Sequence, residues 1–161
     1  KQMMTSVEDI YACGDCVQAR DIIIGEEILS LLWHNAKQQG EIAGYNSVGI
    51  KRDYGGAMNI SGTDIIGTEA VSIGHTADRF KDTELKIIES NDECYHRLLI
   101  ADGILVGAQF VGQAENMGAL ITAIRRRDSL EKLRRVIDNS DLLSQNPWCY
   151  RIYPYIKGCY S

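Results

Sequence analysis

The stretch Cys13-Gly14-Asp15-Cys16 concentrates two thiols and a carboxylate around one glycine. A Cys-x-x-Cys can serve as a redox dithiol or as half of a metal site. No second Cys-x-x-Cys follows, and no proline flanks this one, which argues against a zinc ribbon or a dedicated dithiol redox centre. Just upstream, Ile10-Tyr11-Ala12 is an apolar run that predicts a short buried strand. Gly14 then allows a backbone approach that a side chain would block. Asp15 becomes a carboxylate at the carboxyl end of a strand, where open α/β sheets hold their ligands. Taken alone, Gly-Asp is a common turn. His34, His75 and His96 are isolated in sequence, as are Cys149 and Cys159, so the pattern names no catalytic residue and no metal ligand set.

A helix is predicted over residues 26–46, where Ile28, Leu31, Leu32, Ala36, Gln39 and Ala43 recur three to four residues apart. Gly40 and Gly44 inside it would each cost about 1 kcal/mol against Ala, which suggests close packing against a neighbour. Arg52-Asp53-Tyr54-Gly55-Gly56 reads as a linker. Strands are expected at residues 57–60, 69–74, 85–89, 95–101 and 104–111, the last two joined by Asp102-Gly103, a strong hairpin signal. Two helices follow, at residues 116–127 and 129–137, with Asp128 or Ser129 capping the second. Strands followed by helices predict an α+β layer, an antiparallel sheet with helices on one face. Residues 138–161 form an aromatic-rich tail with Trp148, Tyr150, Tyr153, Tyr155 and Tyr160, which suit a covering role.

The chain has 161 residues, enough for one ordinary core or one domain plus a fragment of another. A net charge of −5 supplies no general attraction for nucleic acid or an anionic membrane. No apolar run is long enough to span a bilayer. Five irregularly spaced cysteines do not suggest a secreted disulfide framework, so a cytoplasmic location is expected.

The string Thr5-x-x-x-x-Ile10-Tyr11-Ala12-x-Gly14-Asp15 resembles the second flavin-binding motif of the FAD-dependent pyridine nucleotide-disulfide oxidoreductases. The resemblance implies that Gly14 and Asp15 bind FAD, with the carboxylate on the ribityl chain. Trp33, Ala36, Gln38, Gln39, Gly40, Ala43, Gly44 and Asn46 are similar to the helix that follows that motif. Its amino end, here Leu32, Trp33 and His34, would face the pyrimidine edge of the flavin. Free N–H groups and the positive end of the helix dipole stabilise charge developing there. Without the resemblance, Trp33 would be read as a core tryptophan. The segment 98–109 followed by Gly112 resembles the family's carboxy-terminal hairpin. The likeness runs over residues 5–137 and leaves the tail unmatched.

The domains implied are the end of an FAD-binding α/β domain (1–53), a carboxy-terminal interface domain (54–137) and the tail. The nearest group is that of NADH oxidase, rubredoxin reductase and nitrite reductase. Its members pass electrons from NAD(P)H through FAD to an acceptor. Gly-x-Gly-x-x-Gly loops are absent and the chain opens at Lys1, so it is expected to be a carboxy-terminal piece. Alone it is expected to be inactive and to hold no FAD. The family's His-Pro-bearing acid–base motif is also absent, which argues against a glutathione-reductase-like mechanism. Cys13 and Cys16 are expected to be small buried residues near the flavin. A homodimer through the carboxy-terminal domain is one implied partnership. Arg125, Arg126, Arg127, Arg134 and Arg135 suit a solvated helix end, or else an acidic electron-transfer protein. A non-catalytic dimerisation or docking module is the alternative reading.

Overall fold

The structure, a computed structural model, describes residues 1–80, 83–90, 95–112, 117–129 and 131–132, with the backbone alone for 83–90. Most of the expected helix at 129–137, the tail, Cys149, Cys159, Arg134 and Arg135 lie outside the described residues. The chain divides into two compact units, Lys1–Asn59 and Ile60–Ser161.

The first unit is built around one helix and several extended segments. β1 (Gln18–Arg20) and β2 (Glu27–Leu29) pair antiparallel, each burying its middle residue, Ala19 and Ile28. The loop between them is closed by Asp21. Its Oδ1 accepts the N–H groups of Ile23 at 2.7 Å and Ile24 at 2.9 Å, an Asx turn that suits a wholly buried aspartate. α1 spans Trp33–Ser47. The predicted helix therefore starts seven residues late, because Ile28 belongs to a strand whose apolar spacing had merged with the helical pattern (33 − 26 = 7).

The buried positions of α1 are Asn35, Gln39, Ala43 and Asn46, a face that is largely polar. Each amide bonds to an extended segment. Asn35 donates to Ser30 Oγ at 2.6 Å and to the Met58 carbonyl at 3.2 Å. Ser30 in turn donates to Asn59 Oδ1 at 2.7 Å. Asn46 donates to the carbonyls of Gln2 at 3.1 Å and Arg52 at 2.8 Å, and accepts the Arg52 N–H at 2.9 Å. Residues 52–56 are thus no linker. Tyr54 and Ala57 are buried with Ala19, against Met3 and Ile42, and Ala57 bridges Asp21. The first unit extends through Asn59, six residues beyond the boundary read at residue 53 (59 − 53 = 6).

The second unit follows ordinary sheet physics. Five strands, β3 (Ile60–Ile65), β4 (Thr68–Gly74), β5 (Thr83–Ser90), β6 (Tyr95–Ala101) and β7 (Ile104–Val111), form one antiparallel sheet ordered β3-β4-β7-β6-β5. Asp102 and Gly103 turn β6 into β7 with φ values of +51° and +72°, the left-handed pair that such two-residue hairpins require. β3 replaces the strand expected at 57–60. It is an exposed edge strand without apolar alternation. α2 (Met117–Arg126) packs on β7 and buries Leu120, Ile121, Ala123 and Ile124, confirming the α+β class. It ends at Arg127 in the left-handed region, with Asp128 N–H on the Ala123 carbonyl at 2.9 Å. Ser129 bridges Ile104.

Gly107 lies hard against its neighbour in this sheet. A Cβ there would collide with the His75 carbonyl oxygen. That oxygen also accepts from Gln109 Nε2 at 3.1 Å, and Gln109 is held by Arg97 Nε at 2.8 Å. Gly107→Ala should destabilise this unit by about 3 kcal/mol. Gly118→Ala, into open space within α2, should stabilise it by about 0.5–1 kcal/mol. Urea unfolding of both variants measures the contrast.

Candidate functional site

The Gly14-Asp15 motif is not the end of a buried strand. Tyr11 makes a single antiparallel bridge to Met4, Ile10 is 53 % exposed, and residues 3–12 fold back on themselves through Thr5 N–H to Ile10 O at 2.8 Å. The Tyr11 hydroxyl anchors this loop on the Asn46 carbonyl at 3.2 Å. Gly14–Cys16 is a 3₁₀ turn that places Asp15 at the surface. Gly14 is needed for its conformation and not for space. Its φ is +83°, while an added Cβ would make only ordinary contact with Ala36 Cβ at 3.7 Å.

One side chain ties this turn to α1. Gly14 N–H donates to Gln39 Oε1 at 2.8 Å, and Gln39 is 1 % exposed. The turn therefore lies against the side of α1 at Ala36, Gln39 and Gly40, in its first and second turns. Gly40 does face a neighbour, Cys13 Sγ at 3.9 Å from its would-be Cβ, whereas Gly44 faces open space, so only one of the two glycines fits the close-packing expectation.

Leu32 is the N-cap residue of α1, and its side chain makes no capping bond. Trp33 and His34 precede the first intrahelical bonds, made by Asn35 and Ala36 N–H to Leu32 O, both at 3.0 Å. Trp33 is 56 % exposed, with Lys37 Nζ 5.1 Å from its ring centroid, so it is not a core tryptophan. His34 Nε2 lies 2.9 Å from the Met58 carbonyl, an acceptor, so Nε2 carries hydrogen and the ring is oriented. Gly14 and Asp15 are thus brought beside the first turns of the helix whose end carries Leu32, Trp33 and His34.

Cys16 is exposed and Cys13 half-buried, both free thiols, which corrects the expectation that both are buried. His75 and His96 are buried in the second unit, edge-on to Phe80 and Phe110. Near His75, the Thr76 hydroxyl, then Asp78's own backbone N–H, hold the exposed Asp78 carboxyl below the usual carboxylate range. Among the described residues, no group of His, Cys, Asp and Glu is placed to hold a metal ion. No helix among them is long and apolar enough to cross a membrane. Sequence reasoning missed Asn35 and Asn46 as organisers, and saw Gln39 only as part of a pattern. Amides at positions 35, 39 and 46 were the available signal.

No protein-family model matches the chain. An NADH oxidase of Methanocaldococcus jannaschii is 31 % identical, over 83 % of this chain and 34 % of that protein. A NAD-dependent persulfide reductase of A. fulgidus superposes with a TM-score of 0.75 at 27 % identity, over 84 % of this chain and 28 % of that one. The chain resembles one part of the FAD-dependent pyridine nucleotide-disulfide oxidoreductases. A member of that family from Desulfovibrio vulgaris shares the fold, with a TM-score of 0.76 at 20 % identity, over 88 % of this chain and 39 % of that one. This chain spans about a third of the length of the first curated relatives it matches, 34 % and 32 %.

Gln39→Leu should release the family motif from the helix without emptying the space beneath it. The Gly14 amide loses its acceptor, a bond worth about 1 kcal/mol net and more if the amide stays buried. Hydrogen exchange at Gly14 should accelerate severalfold while exchange in β6 and β7 is unchanged.

Proposed function

We propose that this chain is the carboxy-terminal part of a flavoprotein that moves electrons from NAD(P)H through FAD to an acceptor. The observation that carries the proposal is the exposed Asp15 carboxylate, set on a positive-φ glycine turn that Gln39 holds against α1. The kinship with NADH oxidase supports it.

The donor and acceptor set fits a flavin nucleotide. Asp15, an acceptor-only group when ionised, suits the hydroxyls of a ribityl chain. Gly14, at a φ of +83°, gives the turn the shape that presents Asp15. The N–H groups at Trp33 and His34 suit a ring nitrogen and carbonyl that gain negative charge, with the helix dipole adding to them. When bound, FAD would supply hydride acceptance and onward electron transfer. The chain's own task is to anchor the ribityl segment through Asp15 and keep hydrogen-bond donors fixed at the end of α1. His34, oriented by Met58, keeps the first turn of the helix in place. The five-stranded unit with α2 then acts as the interface domain. The partner there is a second copy of the chain, and the acceptor is a protein, disulfide, oxygen or nitrite.

Asp15→Ala in a longer protein that contains this chain and binds FAD should weaken FAD affinity about tenfold or more. Charge-assisted hydrogen bonds of this kind are worth roughly 1.5–3 kcal/mol. The second unit should unfold as in the wild type. Unchanged flavin content and affinity would remove Asp15 from the site.

A further inference from the structure

The thiols that flank Asp15 have no role in anchoring a flavin, yet the fold places them as a pair. Cys13, in extended conformation, leads into the 3₁₀ turn Gly14–Cys16, and Cys16 closes it three residues on. The Cys16 thiol is folded back over its neighbour, with Sγ 3.3 Å from the Cys13 carbonyl oxygen. Four-residue turns hold their end Cα atoms within about 7 Å, overlapping the roughly 4.4–6.8 Å that a disulfide requires. Cys16 is exposed and Cys13 half-buried, and both are free. Beneath Cys13 lies Gly40, which puts no side chain against the sulfur. The Gly14 N–H on Gln39 fixes the turn between the two cysteines to α1.

We propose that Cys13 and Cys16 form a reversible dithiol–disulfide pair that exchanges with small, low-molecular-weight disulfides. The exposed Cys16 attacks first. Its thiolate forms a bond to one sulfur of the disulfide, and the S–S bond of that molecule breaks to release one thiolate. Cys13 as thiolate then attacks Cys16 Sγ, forming the Cys13–Cys16 bond and expelling the second thiolate. The two protons given up by the cysteines end on the two released thiols. The cysteine pair is oxidised by two electrons and the small disulfide is reduced by two. The oxidised form clamps the two ends of the turn that carries Asp15. This pairing is independent of the flavin reading, because it uses no cofactor.

Trypsin makes the test direct, since residues 2–20 form one peptide holding Cys13 and Cys16 and no other cysteine. The reduced 161-residue chain is treated with hydroxyethyl disulfide, quenched with an alkylating agent and mapped by mass spectrometry. The expected product is that peptide with two hydrogens lost, no alkyl group and no probe adduct, restored by dithiothreitol. Cys13→Ser should instead trap a stable probe adduct on Cys16, and Cys16→Ser should react more slowly. The paired fraction at a given probe concentration should be higher in the folded chain than in urea. A wild-type peptide with adducts or alkyl groups on both cysteines would overturn the proposal. So would pairing no greater folded than unfolded.

Discussion

Buried side-chain amides on α1 are the constraint on which the first unit depends. Three of the four buried positions of this helix are Asn35, Gln39 and Asn46, where an ordinary surface helix would present Leu or Ile. The segments packed on them are mostly extended coil with isolated bridges, so their backbone groups lack the ladder partners of a sheet. A buried N–H or C=O without a partner costs about 1–3 kcal/mol. The amides meet that requirement one segment at a time. Asn46 serves Gln2 and Arg52, Gln39 serves Gly14, and Asn35 serves Met58 while bonding Ser30. Such a network is directional, so it positions what it binds more strictly than apolar packing does.

That strictness bears on chemistry. A carboxylate on a loose loop would lose much of its binding energy to ordering. Asp15 instead follows a glycine whose N–H is fixed to a nearly inaccessible glutamine. Local and distant contacts thus cooperate at one place. The second unit obeys a different logic, with buried Leu98, Leu99, Ile100, Leu105 and Phe110 along central strands and the apolar face of α2 on β7. It is stabilised chiefly by burial, with the His75 carbonyl packed on Gly107 and bonded by Gln109.

These two logics explain what could be read from the residues alone. The Asp102-Gly103 turn, β4, β6, β7 and α2 were legible because alternation, turn chemistry and helical periodicity all pointed one way. β3 was not, since Ser61, Gly62, Thr63 and Asp64 on an exposed edge carry no apolar alternation. The start of α1 was blurred by Ile28, Leu31 and Leu32, whose spacing suits a helix although Ile28 packs from a strand. The run Ile10-Tyr11-Ala12 looked like a buried strand, yet within this chain it pairs through one bridge. Residues 52–56 looked like a linker because two glycines, an arginine and an aspartate hide the burial of Tyr54. The motif singled out Asp15 as a candidate. The amide of Gln39 that holds its turn was not legible, because reading apolar periodicity discounts polar residues that face inward.

The account rests on Asp15 and the amino end of α1 facing the same cofactor. A crystal structure of a longer protein containing this chain, grown with FAD bound, tests that most directly. The predicted result is the Asp15 carboxylate within hydrogen-bonding distance of the ribityl hydroxyls, with the Trp33 and His34 N–H groups on the pyrimidine edge of the flavin. FAD bound elsewhere, with Asp15 still turned to solvent, would contradict it.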